Sequence, residues 1–439
     1  VQHKLYKWKN KQSDLVLLLS GARQIGKTTE LLKFAYSNYE QIVYINLANP
    51  NIMNDFVNLV LGDNLFYGMQ NFCKKNQLEK FENSDKTILI IDEIQESNQI
   101  YNSIRELQSG LRCNIAVTES YLGKTLKQEY FKPVGNIFEI EMTSLSFKEF
   151  ARANGLENLL DTISIFGKSQ KDDYVKLTNL YKTYIQIGGY PAVVREYFRS
   201  KDISECYELI AQIIRRFTEE SSSYFKNDRC LSVFNNVYRA AFINMAKEKK
   251  GTDAKNIQDI TEFTRSDTLS HVNRAEVTQA VNWLVYSKIL GICDLYNKGN
   301  TMDAMPSRRF YFMDCGIASY IAKQTAIDKA TVNGVIAENF VYDELYRACQ
   351  EKKIDEPIPC CSVYNNYELD FMVTSSNGTK IGIEVKSNSS DKHPSIDLYL
   401  QKKLIDKAYV AQITKGGKGN TCNTIPIYTV GCRFPYDDE

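Results

Sequence analysis

Gly21-Ala22-Arg23-Gln24-Ile25-Gly26-Lys27-Thr28 sets two glycines, a lysine and a hydroxyl at the spacing G-x-x-x-x-G-K-[ST]. Each residue type suits a chain of phosphates. Gly21 and Gly26 let the backbone curl until its N–H groups face anionic oxygens. Lys27 reaches the terminal phosphates of a nucleotide, and Thr28, followed by Thr29, offers a hydroxyl to Mg²⁺. The apolar run Leu15–Leu19 before the loop reads as a buried strand. Leu31, Leu32 and Phe34 after it fall at helical spacing, and a helix N-terminus adds its positive end. ATP or ADP with Mg²⁺ is the expected ligand.

A second element completes such a site. "KTILIIDEIQ" ends four aliphatics in Asp92 and Glu93. At a strand end beside the phosphates, Asp92 would hold Mg²⁺ through water. Glu93 would orient and deprotonate the attacking water. The same pair could instead be an acidic helix start. The strand "CNIAVTES" ends in Thr118, Glu119 and Ser120, where a polar side chain could sense the γ-phosphate.

A third group lies far along the chain. In "GIEVKS" Ile383 and Val385 alternate with Glu384 and Lys386, so acid and base share one face of a strand. The preceding strand, "SVYNNYELDFMVT", carries Asp370, and the turn Ser375–Gly378 makes the two a hairpin that brings Asp370 beside Glu384. Two such carboxylates can hold a divalent metal. Lys386 can position a water, and Glu338, on the amphipathic helix "NGVIAENFVYDELYRAC", can complete the set. A metal-bound water beside a lysine is machinery for attack on a phosphodiester. A salt-bridged hairpin in which these charges balance one another would look the same.

The elements that must position these residues are spread over 439 residues, enough for two to four domains. Net charge is +1, so no global basic field announces a nucleic-acid partner. Lys386, Lys392, Lys402 and Lys403 offer a partial basic groove, and Lys415 and Lys418 of "TKGGKGN" a mobile basic loop. The longest apolar runs are far below the roughly 20 residues of a membrane span, and no membrane contact is expected. Eleven scattered cysteines and three histidines (His3, His271 and His393) form no zinc pattern. Free cysteines fit a reducing cytoplasm. Strands alternating with helices in the first third give a parallel α/β sheet. "QIVYINLAN" supplies its second strand and "NIFEIEM" its last. The middle is helical, broken by Gly188-Gly189-Tyr190-Pro191. Arg215 and Arg216 lie among acids, so no basic face is read there. "NKGNTMDAMPSRR" reads as an exposed loop.

"GARQIGKTT", "LIIDEIQ" and "IFEIEMTSLSFKEF" together resemble the AAA-like/STAND P-loop ATPases that carry a DUF4143-type C-terminal region. The resemblance covers nearly the whole chain. It implies a multi-domain α/β protein. A P-loop NTPase domain spans 1–150, a parallel sheet flanked by helices. A helical lid spans 151–204, a winged-helix-like domain 205–305, and a nuclease-like, restriction-endonuclease-type α/β domain 306–439. In that family the segment at Thr118-Glu119-Ser120 reads T-G-S, so Glu119 stands where glycine is usual. Ser144–Phe150 matches a structural joint. The Gly188–Pro191 element would lie over the nucleotide. Glu338, Asp370, Glu384 and Lys386 resemble the PD-(D/E)xK nuclease core, with Asp370 and Glu384 as metal ligands.

Two functions follow. One is an ATPase whose nucleotide state regulates a nuclease acting on DNA or RNA. The other is a STAND-like switch, in which ATP controls a nucleotide-dependent oligomer or a protein partner and the C-terminal domain only binds. A translocating motor would need an arginine finger that the sequence does not identify.

Overall fold

A computed structural model describes the chain except residues 12–13, 121–128, 132–134, 168–170, 225–228, 250–256, 267–271, 298–300, 303–307, 355–358, 387–392 and 434–439. Ser387, Lys392, His271 and most of the loop expected at 297–309 therefore lie outside the described residues. The chain divides into two compact units. One comprises residues 1–143 with 286–288, the other 144–285 with 289–439.

In the first unit, strands β1 (Val16–Gly21), β2 (Gln41–Asn46), β3 (Thr87–Asp92), β4 (Asn114–Glu119) and β5 (Ile137–Met142) form a parallel sheet in the order β2-β3-β4-β1-β5. β1, β3 and β4 are buried at every residue, as strands covered on both faces must be. β2 alternates buried with half-buried. The core gathers Leu18, Val43, Ile45, Phe56, Met69, Leu89, Ile91 and Val117. This order brings the carboxyl ends of β1, β3 and β4 side by side, the ligand edge of an open α/β sheet. The apolar pattern gave no notice of one helix, Gln2–Lys11. It buries Leu5 and Trp8, and Trp8 Nε1 donates to Leu15 O at 2.7 Å.

In the second unit, the helices Lys171–Ile187, Pro191–Ser200, Ile203–Tyr224, Arg229–Lys249, Ile257–Ser266 and Arg274–Tyr286 precede a second sheet. Strands β6 (Leu290–Asn297), β7 (Thr301–Met302) and β8 (Arg308–Phe312) are antiparallel neighbours. β6 also pairs in parallel with β9 (Cys360–Tyr364), so the sheet runs across the boundary expected at residue 305. β9, β10 (Tyr367–Thr374) and β11 (Lys380–Lys386) make an antiparallel meander. Asn365 and Asn366, both at positive φ, form the two-residue turn between β9 and β10. β12 (Lys407–Gln412) and β13 (Asn423–Pro426) extend the sheet in parallel. The helix Lys329–Gln350 packs on β11. The helix Pro394–Gln401 covers Leu369, Ile405, Ala408 and Val410 through Ile396 and Tyr399.

The expected basic loop at 414–420 is tied down. Gly416 N donates to Phe166 O at 2.9 Å, and Gly417 pairs with Thr424. Backbone pairing, with Phe166 from a distant segment and with nearby Thr424, overrides the mobility that three glycines suggest. Among the described residues no helix is long and apolar enough to cross a membrane.

The Gly188-Gly189 break is a buried clamp. Gly188 (φ 70°) closes the helix Lys171–Ile187, and a Cβ there would overlap the Asp314 carboxylate. Asp314 accepts from Gly189 N at 2.8 Å and caps the helix Cys315–Ala322 through Gly316 N at 2.9 Å. Gly189 O accepts from Leu145 N at 2.8 Å, and a Cβ on Gly189 would overlap Leu145 O. The next residue, Ser146, opens the helix Phe147–Ala153 with a capping box to Glu149. Two segments singled out in the sequence thus hold each other. Gly189→Ala should destabilise this unit by about 2–3 kcal/mol through overpacking. Asp314→Ala should cost a similar amount by orphaning buried N–H groups. Thermal unfolding should show the loss, while nucleotide binding by the first unit is retained.

Candidate functional site

The loop after β1 is shaped for an anion. Gly21 sits at φ 138°, and a Cβ on it would overlap Met142 O of the neighbouring β5. Gln24 (φ 63°) and Gly26 (φ 93°) turn successive peptides inward. Gly26 begins the helix Lys27–Asn38 with no side-chain cap, which leaves the first-turn N–H groups for a ligand. Ala22 and Ile25 are buried and anchor the loop. Gln24 and Thr29 are exposed.

Lys27 is buried. Its Nζ donates to Gly21 O at 2.9 Å and Ala22 O at 2.8 Å. Burial pulls its pKa down to about 8, against the opposing pull of Glu93 and Asp92. The ammonium is thus held by neutral carbonyls and carries charge still to be matched.

Asp92 ends β3 and is buried. It accepts from Thr28 Oγ1 at 3.0 and 3.2 Å, from Tyr44 OH at 2.6 Å and from Thr118 Oγ1. A carboxylate and a hydroxyl this close are the oxygen donors that Mg²⁺ takes beside nucleotide phosphates, so the residues fit that ion. Glu93 follows in the left-handed region at φ 58°. Thr118 Oγ1 accepts from its backbone N at 3.0 Å. Its carboxylate is engaged on both oxygens. Oε1 accepts from Ser120 Oγ at 3.0 Å and Oε2 from Gln95 Nε2, with the Arg23 guanidinium 3.9 Å away. Glu119 is buried beside Ser20 of β1, and its charge bears on Lys27.

The four C-terminal candidates fall into two groups. Glu338 is buried on the helix Lys329–Gln350, paired through Oε1 with Lys249 Nζ, while Tyr311 OH lies 3.4 Å from Oε2. Burial pushes its pKa up, and Lys249 opposes that. Asp370 lies where β10 bulges against β9. Its Oδ2 accepts from Val385 N at 2.7 Å, and its charge acts on Lys249 and Glu338. Glu384 pairs instead with Lys386, 2.5 Å away, and its other oxygen lies 3.5 Å from His393 Nδ1.

The side-chain period of β11 explains the split. Gly382, Glu384 and Lys386 share a face, and a Cβ on Gly382 would meet Leu369 and Ile405 beneath the helix Pro394–Gln401. Ile383 pairs with Phe371, whose ring lies against Tyr311, itself stacked on Tyr342 of the Glu338 helix. Glu384 and Lys386 therefore point away from Glu338. The expectation that Glu338, Asp370, Glu384 and Lys386 form one constellation is corrected accordingly. Among the described residues no group of three or more His, Cys, Asp or Glu side chains could hold a metal ion.

Sequence reasoning missed Tyr44, Gln95, Lys249 and His393. Gln95 and His393 stood near motifs in sequence; Tyr44 and Lys249 reach their partners from distant segments. Loosening one of the two bonds on Glu93 should speed hydrolysis. Ser120→Ala should raise kcat about 3–5-fold, the effect of one modest hydrogen bond, with ATP affinity nearly unchanged. Steady-state phosphate release and equilibrium nucleotide binding would check this.

Residues 13–151 match an AAA domain model, residues 178–328 a domain of unknown function (DUF8612), and residues 333–428 another (DUF4143). No curated protein matches the sequence. Solved structures with similarity include a Walker-type ATPase of Pyrococcus abyssi, at TM-score 0.42 and 11% identity, covering 73% of this chain and 94% of that one. The Aeropyrum pernix ORC1 protein, solved in complex with DNA, matches at TM-score 0.31 and 13% identity over 77% and 92% of the two chains. The Thermotoga maritima RuvB Holliday junction branch migration motor matches at TM-score 0.29 and 13% identity over 66% and 88%. The match and the strand-end geometry agree on an AAA-type P-loop domain at residues 13–151, with a DUF4143 match later in the chain at 333–428.

Proposed function

We propose that the protein is a slow, Mg²⁺-dependent ATPase whose nucleotide state works as a switch, with a C-terminal domain that binds a partner without cutting it. One observation carries this reading. Glu93, the residue best placed to activate water, is held on both carboxylate oxygens by Ser120 and Gln95. A side chain so engaged must be released before it can act as a base.

When bound, ATP with Mg²⁺ supplies the γ-phosphoryl group and the charge that neutralises it. The N–H groups of 21–28 cradle the phosphates, and Lys27 exchanges its carbonyl partners for phosphate oxygens. Thr28 and Asp92 would hold the metal ion, which would supply charge neutralisation to the phosphates. Thr118 fixes Asp92 and the backbone of Glu93, so only the Glu93 side chain has to move. The charge pattern of the C-terminal domain supports a binding role, because Glu338 and Glu384 each already face a lysine. The described cysteines are free thiols, which suits the cytoplasm. A nucleotide-dependent oligomer or protein partner is the expected output.

A second reading keeps a nuclease acting on DNA or RNA. It is favoured by Asp370 on β10 beside the β11 strand that carries Glu384 and Lys386. Cleavage assays on single- and double-stranded DNA and RNA, with Mg²⁺ or Mn²⁺ and with or without ATP, separate the two. No cleavage is expected under any condition. Cleavage by the intact chain that Glu384→Ala abolishes would put the nuclease in front.

For the switch, size-exclusion mobility should differ between ADP and a slowly hydrolysed ATP analogue. Lys27→Ala should lose nucleotide binding and that difference together. Glu93→Gln should keep ATP binding, lower kcat by about 100-fold or more, and hold the ATP-type assembly. Identical mobility in both nucleotides would count against the switch.

A further inference from the structure

We infer that Lys249 is a built-in cation that takes the place of a divalent metal beside Glu338 and Asp370, tying the helical middle to the C-terminal domain and closing that site to metal ions. This deepens the binding-module reading above and rests on it.

Lys249 ends the helix Arg229–Lys249, and its ammonium pairs with Glu338 Oε1. The pair is well buried, the two side chains being 24% and 8% exposed. Room for the lysine stem is left by Gly334, one helical turn before Glu338. A Cβ there would lie 3.1 Å from Lys249 Cε. The charges facing the ammonium are acidic, with Asp370 and Glu368 adding to Glu338. Arg309, the other buried cation of this cluster, is taken by Glu368 at 2.5 Å. Lys249 is thus the group placed to neutralise Glu338 and Asp370.

A divalent ion would need several oxygens converging at about 2.1–2.5 Å. An ammonium needs only hydrogen-bond partners, and it occupies the same space. Glu384, the remaining candidate ligand, faces the other side of the sheet with its own lysine. With Lys249 in place, the residues fit its ammonium rather than a metal ion.

The test uses the full chain without nucleotide and Mn²⁺ as the probe. Thermal unfolding of the intact protein should be the same in Mn²⁺ and in EDTA. Lys249→Met should unfold about 5–10 °C lower in EDTA, because a buried carboxylate loses its partner. Mn²⁺ should restore at least half of that loss, and electron paramagnetic resonance should show bound Mn²⁺ that Lys249→Met combined with Glu338→Gln no longer binds. If Lys249→Met proves too unstable to handle, the double variant still decides. It should be more stable than Glu338→Gln alone, since the pair is removed together.

Mn²⁺ taken up by the intact protein and lost in Glu338→Gln would overturn the inference. So would a folded Lys249→Met that gains no Mn²⁺, or a double variant that falls by the sum of the two single losses. Nucleic-acid cleavage by the intact chain, with no Mn²⁺ bound at Glu338, would sink the binding-module reading while leaving the role of Lys249 standing.

Discussion

One buried carboxylate organises the phosphate end of the first unit. Asp92 accepts hydroxyl bonds from Thr28 on the loop helix, Tyr44 on β2 and Thr118 on β4. Three elements that meet nowhere else in sequence are thereby fixed to the end of β3. A buried charge is costly unless hydrogen-bonded, so these hydroxyls stabilise the carboxylate and are positioned by it. The arrangement also sets Thr28 and Asp92 facing one point, which is what a shared metal ion requires.

The same network holds Glu93. Its backbone sits at φ 58°, which is unfavourable for a non-glycine residue and persists only where neighbours enforce it. Thr118 enforces it by accepting from Glu93 N while donating to Asp92. The backbone is therefore held by Thr118, and the side chain by Ser120 and Gln95.

The phosphate loop, its strands and the acids at the end of β3 were legible because they are local patterns. A motif of eight residues carries its own geometry, and buried parallel strands announce themselves as aliphatic runs. Tyr44 and Lys249 were illegible for the opposite reason, since their partners lie 48 and 89 residues away. The Gly188-Gly189 break was visible. Its clamp was not, because Leu145 and Asp314 come from separate segments. The period of two along β11 was correctly read, and it placed Glu384 and Lys386 together. What it could not reveal is which face carries Glu338, because that depends on how the helix Lys329–Gln350 packs. The bulge in β10 further displaces Asp370 from simple alternation.

The two units treat buried charge in opposite ways. In the first, Lys27 is desolvated, lined by neutral carbonyls and backed by an uncapped helix N-terminus, so positive potential is left over for a polyanion. In the second, buried acids find partners inside the chain. Glu344 accepts from Arg347 at 2.7 Å and from Phe147 N at 3.3 Å. Asp314 is met by backbone N–H groups, Glu338 by Lys249 and Glu384 by Lys386. Asp343 accepts from Asn339 Nδ2 at 3.4 Å and from Cys315 Sγ at 3.5 Å, and burial pushes its pKa up. A metal site needs acids left under-neutralised, as Asp92 is by its three hydroxyls. By that criterion the Thr28–Asp92 pair of the first unit fits a divalent ion, whereas the acids of the second serve its cohesion.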